Sequence, residues 1–269
     1  MDELKLSYHH QARKRFGQNF LQDRYIIGRI VSAISPKSNE AVVEIGPGLG
    51  ALTHELLKAA KKLTAIELDR NLILPLQTST HGLGELTIYQ ADALQFDFKQ
   101  LAYTANQQLR IAGNLPYNIS TALIFHLLAQ AECIQDMHFM LQKEVVDRLV
   151  ASENSRDYGR LTIMVQYYCK VERLFLVSPT AFKPPPKVES AVVRLIPYCQ
   201  LPYPAHNVKI LEQIVRAAFS QRRKMLSNSV KNLISTEQLL SLEINPNWRA
   251  EQVSLKDYVR ISNFIVEGN

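Results

Sequence analysis

The chain has 269 residues, enough for one large domain with an appendage or for two modest domains. Hydrophobic residues make up 46% of it and charged residues 21%, the composition of an ordinary globular protein. The first residues lack the apolar core of a signal peptide, and no apolar run is long enough to span a membrane. The three cysteines are widely spaced and odd in number. They predict neither a zinc site nor a disulfide framework, and we expect a reducing, cytoplasmic location and no bound metal.

The net charge of +6 is unevenly distributed along the chain. Residues 1–40 contain seven Lys or Arg against four Asp or Glu, and residues 199–269 contain nine against six. The region between them contains fifteen of each. A neutral centre with basic ends suits a catalytic body whose periphery binds a polyanion, although a merely solubilising surface has the same charge.

Short β-rich runs alternate with amphipathic stretches through the middle of the chain. Predicted helices at 52–60, 69–77 and 121–129 lie among predicted strands at 41–45, 62–67, 86–89, 109–112 and 137–141. Alternation of this kind indicates an α/β fold, in which helices cover both faces of a parallel sheet.

Two later strands, at 171–177 and 191–196, flank the segment Pro184-Pro185-Pro186. Because a loop joins them instead of a crossover helix, we expect the sheet to end in a hairpin. After Pro197 the pattern becomes helical. The sequence therefore predicts one domain over 1–198 and a small α-helical domain over 199–269.

A glycine-rich run, Gly46-Pro47-Gly48-Leu49-Gly50, follows the first of these strands and opens a helix. Glycines allow the backbone to turn sharply and to approach a ligand closely. By itself the run fits an ordinary strand-to-helix turn equally well.

Two carboxylates strengthen the ligand-binding interpretation. Glu67 ends the second predicted strand, where it can accept both hydroxyls of an adenosine ribose, and Asp92 follows the third, where it can meet an adenine edge. A dinucleotide satisfies much of this pattern. However, Pro47 removes a backbone N–H that a pyrophosphate needs, which favours S-adenosyl-L-methionine over a nicotinamide cofactor.

The fourth strand runs into Asn114-Leu115-Pro116-Tyr117, which taken alone resembles an ordinary turn. Its chemistry also suits methylation of the exocyclic N6 of adenine. The Asn114 side-chain oxygen and the Leu115 carbonyl can accept the amine hydrogens and draw the nitrogen toward a tetrahedral form. Pro116 stiffens the segment, and Tyr117 offers a face on which an extruded base can stack.

The sequence resembles a known family, the KsgA/RsmA-type small-subunit ribosomal RNA adenine N6-dimethyltransferases. The resemblance covers nearly the whole length. It rests on seven segments: 16–21 (FGQNFL), 44–48 (EIGPG), 113–121 (GNLPYNIST), 140–145 (MLQKEV), 158–161 (YGRL), 182–188 (FKPPPKV) and the basic segment 219–224 (FSQRRK), which is expected to be helical.

The resemblance implies a Rossmann-like class I methyltransferase sheet that carries a small C-terminal α-helical domain. It implies that two adjacent adenines in the 3′-terminal hairpin of 16S rRNA each receive two methyl groups, and that the protein takes part in small-subunit biogenesis. Phe182 becomes a second aromatic wall opposite Tyr117, although core packing explains that residue equally well. The implied contacts to S-adenosyl-L-methionine come from Asn19, Leu21, Gly46, Gly48, Glu67, Asp92 and Asn114.

Two basic runs are the candidate RNA contacts, although each also fits a solvated charge run. Arg222, Arg223 and Lys224 are consecutive, so they are expected to surround a helix with positive charge. The other run, Arg13-Lys14-Arg15, immediately precedes the predicted cofactor-binding segment.

The expected partner is small-subunit rRNA within a pre-small ribosomal subunit, bound by a monomer that contacts no membrane. Two alternatives remain at this point. One is a large-subunit rRNA methyltransferase of the erythromycin-resistance type, and the other is a non-catalytic ribosome-assembly factor.

Overall fold

The structure, a computed structural model, describes residues 19–268. Its strands are β1 (Phe20–Leu21), β2 (Ala41–Ile45), β3 (Lys62–Glu67), β4 (Glu85–Gln90), β5 (Leu109–Asn114), β6 (Ile134–Gln142), β7 (Cys169–Val177), β8 (Phe182–Lys183) and β9 (Ser190–Pro197). Its α-helices are α1 (Arg24–Ile34), α2 (Ala51–Ala60), α3 (Arg70–Ser79), α4 (Phe98–Ala105), α5 (Ser120–Leu128), α6 (Lys143–Leu149), α7 (Arg160–Tyr168), α8 (Val208–Phe219), α9 (Leu226–Val230), α10 (Thr236–Ser241) and α11 (Leu255–Glu267).

Seven strands form one sheet in the order β4-β3-β2-β5-β6-β9-β7. The pairs from β4 to β6 are all parallel, whereas β9 runs antiparallel to β6. The strand order reverses between β2 and β5, because β3 and β4 follow on one side of β2 whereas β5 and β6 lie on the other. Open α/β sheets bind ligands at the carboxyl ends of strands beside such a reversal. The predicted α/β fold is confirmed, and the two late strands are neighbours at one edge of the sheet.

The central strands are almost entirely buried, because helices cover both faces of a parallel sheet. Val43 in β2, Ala65 in β3 and Ile111 in β5 are each 0–1% exposed. This explains why these strands read as apolar runs without a polar side. Helix α1 and helix α4 were not predicted from the sequence. Each begins at an aspartate, Asp23 or Asp97, that caps backbone N–H groups of the first turn.

The described chain divides into two compact units. The first contains residues 19–143 and 173–195, and the second contains residues 144–172 and 196–268. The predicted boundary at 198/199 assigned residues 144–172 to the first domain. They belong to the second unit because Tyr158 packs beside Phe219 and its hydroxyl donates to the Val253 carbonyl. No helix within residues 19–268 combines the length and apolar character that crossing a membrane requires.

Residues 220–224 of the basic segment are not helical, so the prediction of a helix over 219–224 is wrong beyond Phe219. Helix α8 ends at Phe219, and the following residues form turns. The amide and hydroxyl of Ser220 both donate to the Ala217 carbonyl, and the Lys224 amide donates to the Gln221 carbonyl. Bonds of this short range are typical of the tightened last turn of a helix.

Candidate active site

A cavity of about 340 Å³ opens in the first unit where β2, β3, β4 and β5 end. This volume lies in the range of sites for small organic cofactors. Nearly all the residues predicted to bind cofactor or substrate line it: Asn19, Leu21, Gly46, Gly48, Glu67, Asp92, Asn114, Leu115, Pro116 and Tyr117.

The glycine-rich loop forms the cavity wall after β2. Gly46, Gly48 and Gly50 all have positive φ, a conformation that costs glycine little and strains other residues. A Cβ on Gly48 would also lie 3.3 Å from the Phe20 ring. The loop therefore needs glycine for both its conformation and its close packing.

Glu67 and Asp92 are held in place by neighbouring groups. Glu67 is 6% exposed, and its two oxygens accept the amides of Gly48 (3.2 Å) and Asp69 (2.8 Å). Burial raises the pKa of Glu67, although these amides oppose the shift. Asp92 accepts the Leu94 amide at 2.9 Å and the Gln95 side chain at 3.2 Å. Carboxylate oxygens can accept further bonds, so both residues remain able to receive ligand hydroxyl or amino groups.

The charge of the cavity distinguishes between possible cofactors. Within residues 19–268 its lining includes three acidic residues, Glu44, Glu67 and Asp92, and neither Lys nor Arg. A pyrophosphate would face carboxylates there without a cation. S-adenosyl-L-methionine carries a sulfonium and an ammonium, so the residues present fit it. No cluster of His, Cys, Asp or Glu within residues 19–268 could hold a metal ion.

Glu44 is a feature of this site to which the sequence assigned no role. Glu44 is among the residues that line the cavity and is 2% exposed, and its Oε2 has no hydrogen-bond partner within the described structure. Burial raises the pKa of Glu44 to about 8; the Thr53 hydroxyl opposes this rise, and the charge of Glu67 adds to it. A buried carboxyl with an unsatisfied oxygen is suited to a cationic ligand group.

We expect Glu44 to make the stability of the cofactor-free protein depend on pH. Its pKa rises on folding from about 4.5 to about 8. Between these values the unfolded chain releases a proton that the native state keeps, so stability decreases as pH rises. At about 1.4 kcal/mol per pKa unit, the loss between pH 5 and pH 8 is about 3–4 kcal/mol. Urea unfolding between pH 5 and pH 8 measures it, and Glu44→Gln should lack this component of the pH dependence.

Glu55→Gln is the control, because Glu55 lies in α2, the helix that follows β2, and its side chain is 46% exposed. Glu55→Gln keeps the Glu44 component, so its stability should still decrease as pH rises from 5 to 8. Parallel stability curves for wild type and Glu44→Gln would contradict the assignment.

The position of Asn114 depends on two close contacts. A Cβ on the preceding Gly113 would lie 2.5 Å from the Ile45 carbonyl oxygen. Glycine is therefore required at this position for the ends of β5 and β2 to lie so close together. The Asn114 Nδ2 donates to the main-chain carbonyl of Asn19 at 3.1 Å. A carbonyl can only accept, so this contact identifies the nitrogen end of the amide and leaves the Oδ1 end free to act as an acceptor.

The rest of the tetrapeptide leaves the sheet immediately afterwards. Pairing between β5 and β6 ends at Asn114↔Met140, with one last bond from the Leu115 amide to the Met140 carbonyl. The Leu115 side chain is buried, whereas Tyr117 is half-buried. Burial raises the pKa of Tyr117 against the effect of a hydrogen bond to Ser190, so its phenol stays protonated at neutral pH.

The structure does not bring every predicted residue to this cavity. Phe182 does not line it. Its side chain is 4% exposed and packs in a hydrophobic cluster with Leu21, because β8 pairs with β1 in the register Leu21↔Phe182. Its role as a second aromatic wall stays a prediction. Arg13, Lys14 and Arg15 lie outside the described residues.

Residues 220–224, called the basic turn below, contain one arginine with a structural role. The Arg222 guanidinium donates to the carbonyls of Arg156 (2.8 Å) and Tyr158 (2.9 Å) within the second unit. Arg223 and Lys224 are exposed beside it.

Comparison with known proteins identifies the family. The family model described as "Ribosomal RNA adenine dimethylase" matches residues 9–267. This chain belongs to the ribosomal RNA adenine dimethylase family. It is therefore an S-adenosyl-L-methionine-dependent rRNA adenine dimethyltransferase, which confirms the predicted enzyme class, cofactor and class I methyltransferase fold.

Two curated relatives of this dimethylase are named "Ribosomal RNA small subunit methyltransferase A". The one from Marinobacter nauticus is 56% identical and covers 96% of this chain and 93% of its own. The one from Salmonella typhimurium is 54% identical and covers 96% and 94%.

Among solved structures, the dimethylase is similar to a dimethyladenosine transferase from Plasmodium falciparum. That structure has a TM-score of 0.76 and 28% identity, and covers 90% of this chain and 95% of its own. The 23S rRNA methyltransferase ErmE has a TM-score of 0.72 and 25% identity, and covers 92% and 100%.

Proposed function

We propose that this dimethyltransferase transfers four methyl groups to small-subunit rRNA, two to the N6 of each of two adjacent adenines in the 3′-terminal hairpin of 16S rRNA. The observation that carries the chemistry is the orientation of the Asn114 amide by the Asn19 carbonyl at the cavity. The choice of RNA rests on relatives that are 54–56% identical and carry a small-subunit name.

We propose that the cavity residues divide the cofactor among them. Glu67 accepts the ribose hydroxyls, Asp92 meets the adenine, and Gly46, Gly48, Asn19 and Leu21 surround the methionine portion. Glu44 faces its positive charge. The bound cofactor supplies an electrophilic methyl group on a sulfonium.

The protein contributes mainly alignment. Asn114 Oδ1 and the Leu115 carbonyl accept hydrogen bonds from the target amine, whose lone pair is otherwise delocalised into the ring. Pro116 restricts the backbone so that the carbonyl direction is maintained. Tyr117 stacks on the extruded base, a contact worth roughly 1–3 kcal/mol. The methylated amine releases its proton readily, so no strong general base is required. Rate enhancement then comes from positioning and polar stabilisation.

Methylation of under-methylated small subunits tests the proposal. Purified enzyme, labelled cofactor and small subunits lacking the modification should yield dimethyladenosine at two adjacent adenines near the 3′ end. Large subunits treated in parallel should remain unlabelled. Label in large-subunit RNA alone would instead favour the erythromycin-resistance type, which the lower identity to ErmE, 25%, disfavours.

The non-catalytic alternative is disfavoured by the retained cavity groups. Glu67, Asp92, Asn114 and Tyr117 are all present and line one cavity. A factor that had lost catalysis would have no chemical need for that arrangement.

We infer that the exposed basic turn of the second unit contacts the RNA phosphates, through Arg223 and Lys224 more than through Arg222. Reversing the charges of Arg223 and Lys224 together, by Arg223→Glu with Lys224→Glu, should weaken RNA binding. It should also flatten the slope of log K against log salt by about 1.4–1.8, since each phosphate contact contributes about 0.7–0.9. Binding titrations between 50 and 200 mM salt measure both effects.

Lys209→Glu with Lys231→Glu is the matched control, because both lysines are exposed in the same unit and the charge change is identical. Arg222→Glu is a poor probe, since it also removes two hydrogen bonds to backbone carbonyls. An unchanged salt slope in the Arg223/Lys224 variant would reject this contact.

We further propose that the enzyme acts as a monomer on a pre-small ribosomal subunit in the cytoplasm. Cys133, Cys169 and Cys199 are all free thiols, which is compatible with a reducing compartment.

A further inference from the structure

The hydroxyl of Tyr117 contacts a residue far away in the sequence. Its oxygen lies 2.8 Å from the Oγ of Ser190, and either hydroxyl can be the donor. Tyr117 lines the cavity and is half-buried, whereas Ser190 is completely buried. A ring proposed to stack on the target base is therefore tied at its far end to a group in the protein interior.

The position of Ser190 is fixed because its backbone belongs to the sheet. It is the first residue of β9 and pairs with Gln142 of β6. The adjacent carbonyl of Glu189 accepts the Lys143 amide at 2.9 Å, which extends this pairing by one bond. A buried hydroxyl is costly unless it is hydrogen-bonded, and Tyr117 supplies the partner.

The backbone end of Tyr117 is restrained as well. Pro116 precedes it, and the main-chain carbonyl of Tyr117 accepts the Ser120 hydroxyl at 3.2 Å. A tyrosine ring has only two rotatable side-chain torsions. With the backbone and the hydroxyl both held, the plane of the ring is set before any base arrives.

We propose that Ser190 is a positioning residue that holds the Tyr117 ring in its stacking orientation and that matters most for the second methyl transfer to each adenine. This inference rests on the proposed function. An unmethylated N6 has two N–H groups for the two acceptors, Asn114 Oδ1 and the Leu115 carbonyl. After one transfer a single N–H remains, so the alignment of the base depends more heavily on stacking.

Ser190→Ala and Tyr117→Phe remove the same hydrogen bond from opposite sides, and each keeps the face of the ring. We expect each variant to lower kcat for the second transfer by about 3- to 10-fold, the value of one net hydrogen bond. The first transfer should change less, so monomethyladenosine should accumulate. The double variant should be no slower than the slower single variant, because the two hydroxyls act as a pair. Ser190→Thr, which retains a hydroxyl, should restore the dimethyl product.

Nucleoside analysis of the product and separate kcat and KM values for each step give these readouts, and thermal melting checks folding. Ser262→Ala is the control for the loss of a buried serine hydroxyl, because Ser262 is completely buried in the second unit. It should leave the ratio of products unchanged. If Ser190→Ala does not fold, Tyr117→Phe still removes the hydrogen bond while leaving Ser190 intact, and Ser190→Thr keeps a hydroxyl at position 190.

Multiplying effects in the double variant, or an unchanged ratio of monomethyl to dimethyl product, would overturn the role of Ser190. That outcome is separate from failure of the proposed function, which would appear as wild-type enzyme that forms no dimethyladenosine on small subunits.

Discussion

Replacing Asn114 by alanine is expected to lower methyl transfer by about 10³-fold, close to background, while the protein stays folded. Removing a single polar group that stabilises the reacting centre typically costs about 10²–10³ in kcat. Asn114 also orients the amine, and its own orientation is set by the Asn19 carbonyl. Single-turnover transfer to under-methylated small subunits at saturating cofactor measures the loss without a contribution from cofactor binding.

Asn118→Ala is the matched control, because Asn118 is an amide in the same loop and also lines the cavity. Its loss should cost less than about 10-fold. Asn114→Asp keeps an oxygen for the amine but places an acceptor against the Asn19 carbonyl, so we expect an intermediate rate. Wild-type rates in Asn114→Ala would remove the basis of the catalytic assignment.

The second large effect concerns stability and lies away from the cavity. Arg110 in β5 is 8% exposed. Its guanidinium bonds Asp136 at 2.7–3.2 Å and Glu40 at 2.7 Å, and also donates to the carbonyls of Ile34 and Ser35. Arg110→Met leaves two carboxylates together without a cation. We expect a loss of about 3–5 kcal/mol in the free energy of unfolding, since breaking a buried ion pair leaves an uncompensated charge.

Urea unfolding followed by circular dichroism measures this loss. The only tryptophan, Trp248, lies in the second unit and does not report on β5 directly. Lys58→Met is the control, because Lys58 pairs with Glu55 at 2.8 Å with both side chains about half exposed. That change should cost less than about 1 kcal/mol.

A triple variant isolates the charge effect. Adding Glu40→Gln and Asp136→Asn to Arg110→Met removes all three charges and should recover part of the lost stability. Equal losses in Arg110→Met and Lys58→Met would contradict the buried-charge explanation.

Much of the first unit was predictable because its elements have local causes. The strands at 41–45 and 62–67 have the same bounds in the structure as in the prediction. Apolar β-branched residues in short runs bounded by glycine or polar residues specify a buried strand wherever it packs. The carboxyl ends of parallel strands meet at one sheet edge, so Glu67 and Asp92 could be assigned to one cavity in advance.

Other features arise between residues that are far apart in the chain. The Asn19–Asn114 contact joins residues 95 positions apart, and the Tyr117–Ser190 contact joins residues 73 apart. No local pattern records such pairs. The same limit explains why the sequence could not show that Phe182 packs with Leu21, or that Arg222 bonds backbone carbonyls.

The sequence alone was therefore sufficient for the α/β fold, the glycine loop, the strand-end carboxylates and the Asn114–Tyr117 element, because each depends on residues within a few positions. Tertiary structure decided which end of the Asn114 amide is free, which cation of the basic turn has a structural role, and what holds Tyr117. Those properties depend on hydrogen-bond partners that only folding brings within about 3 Å.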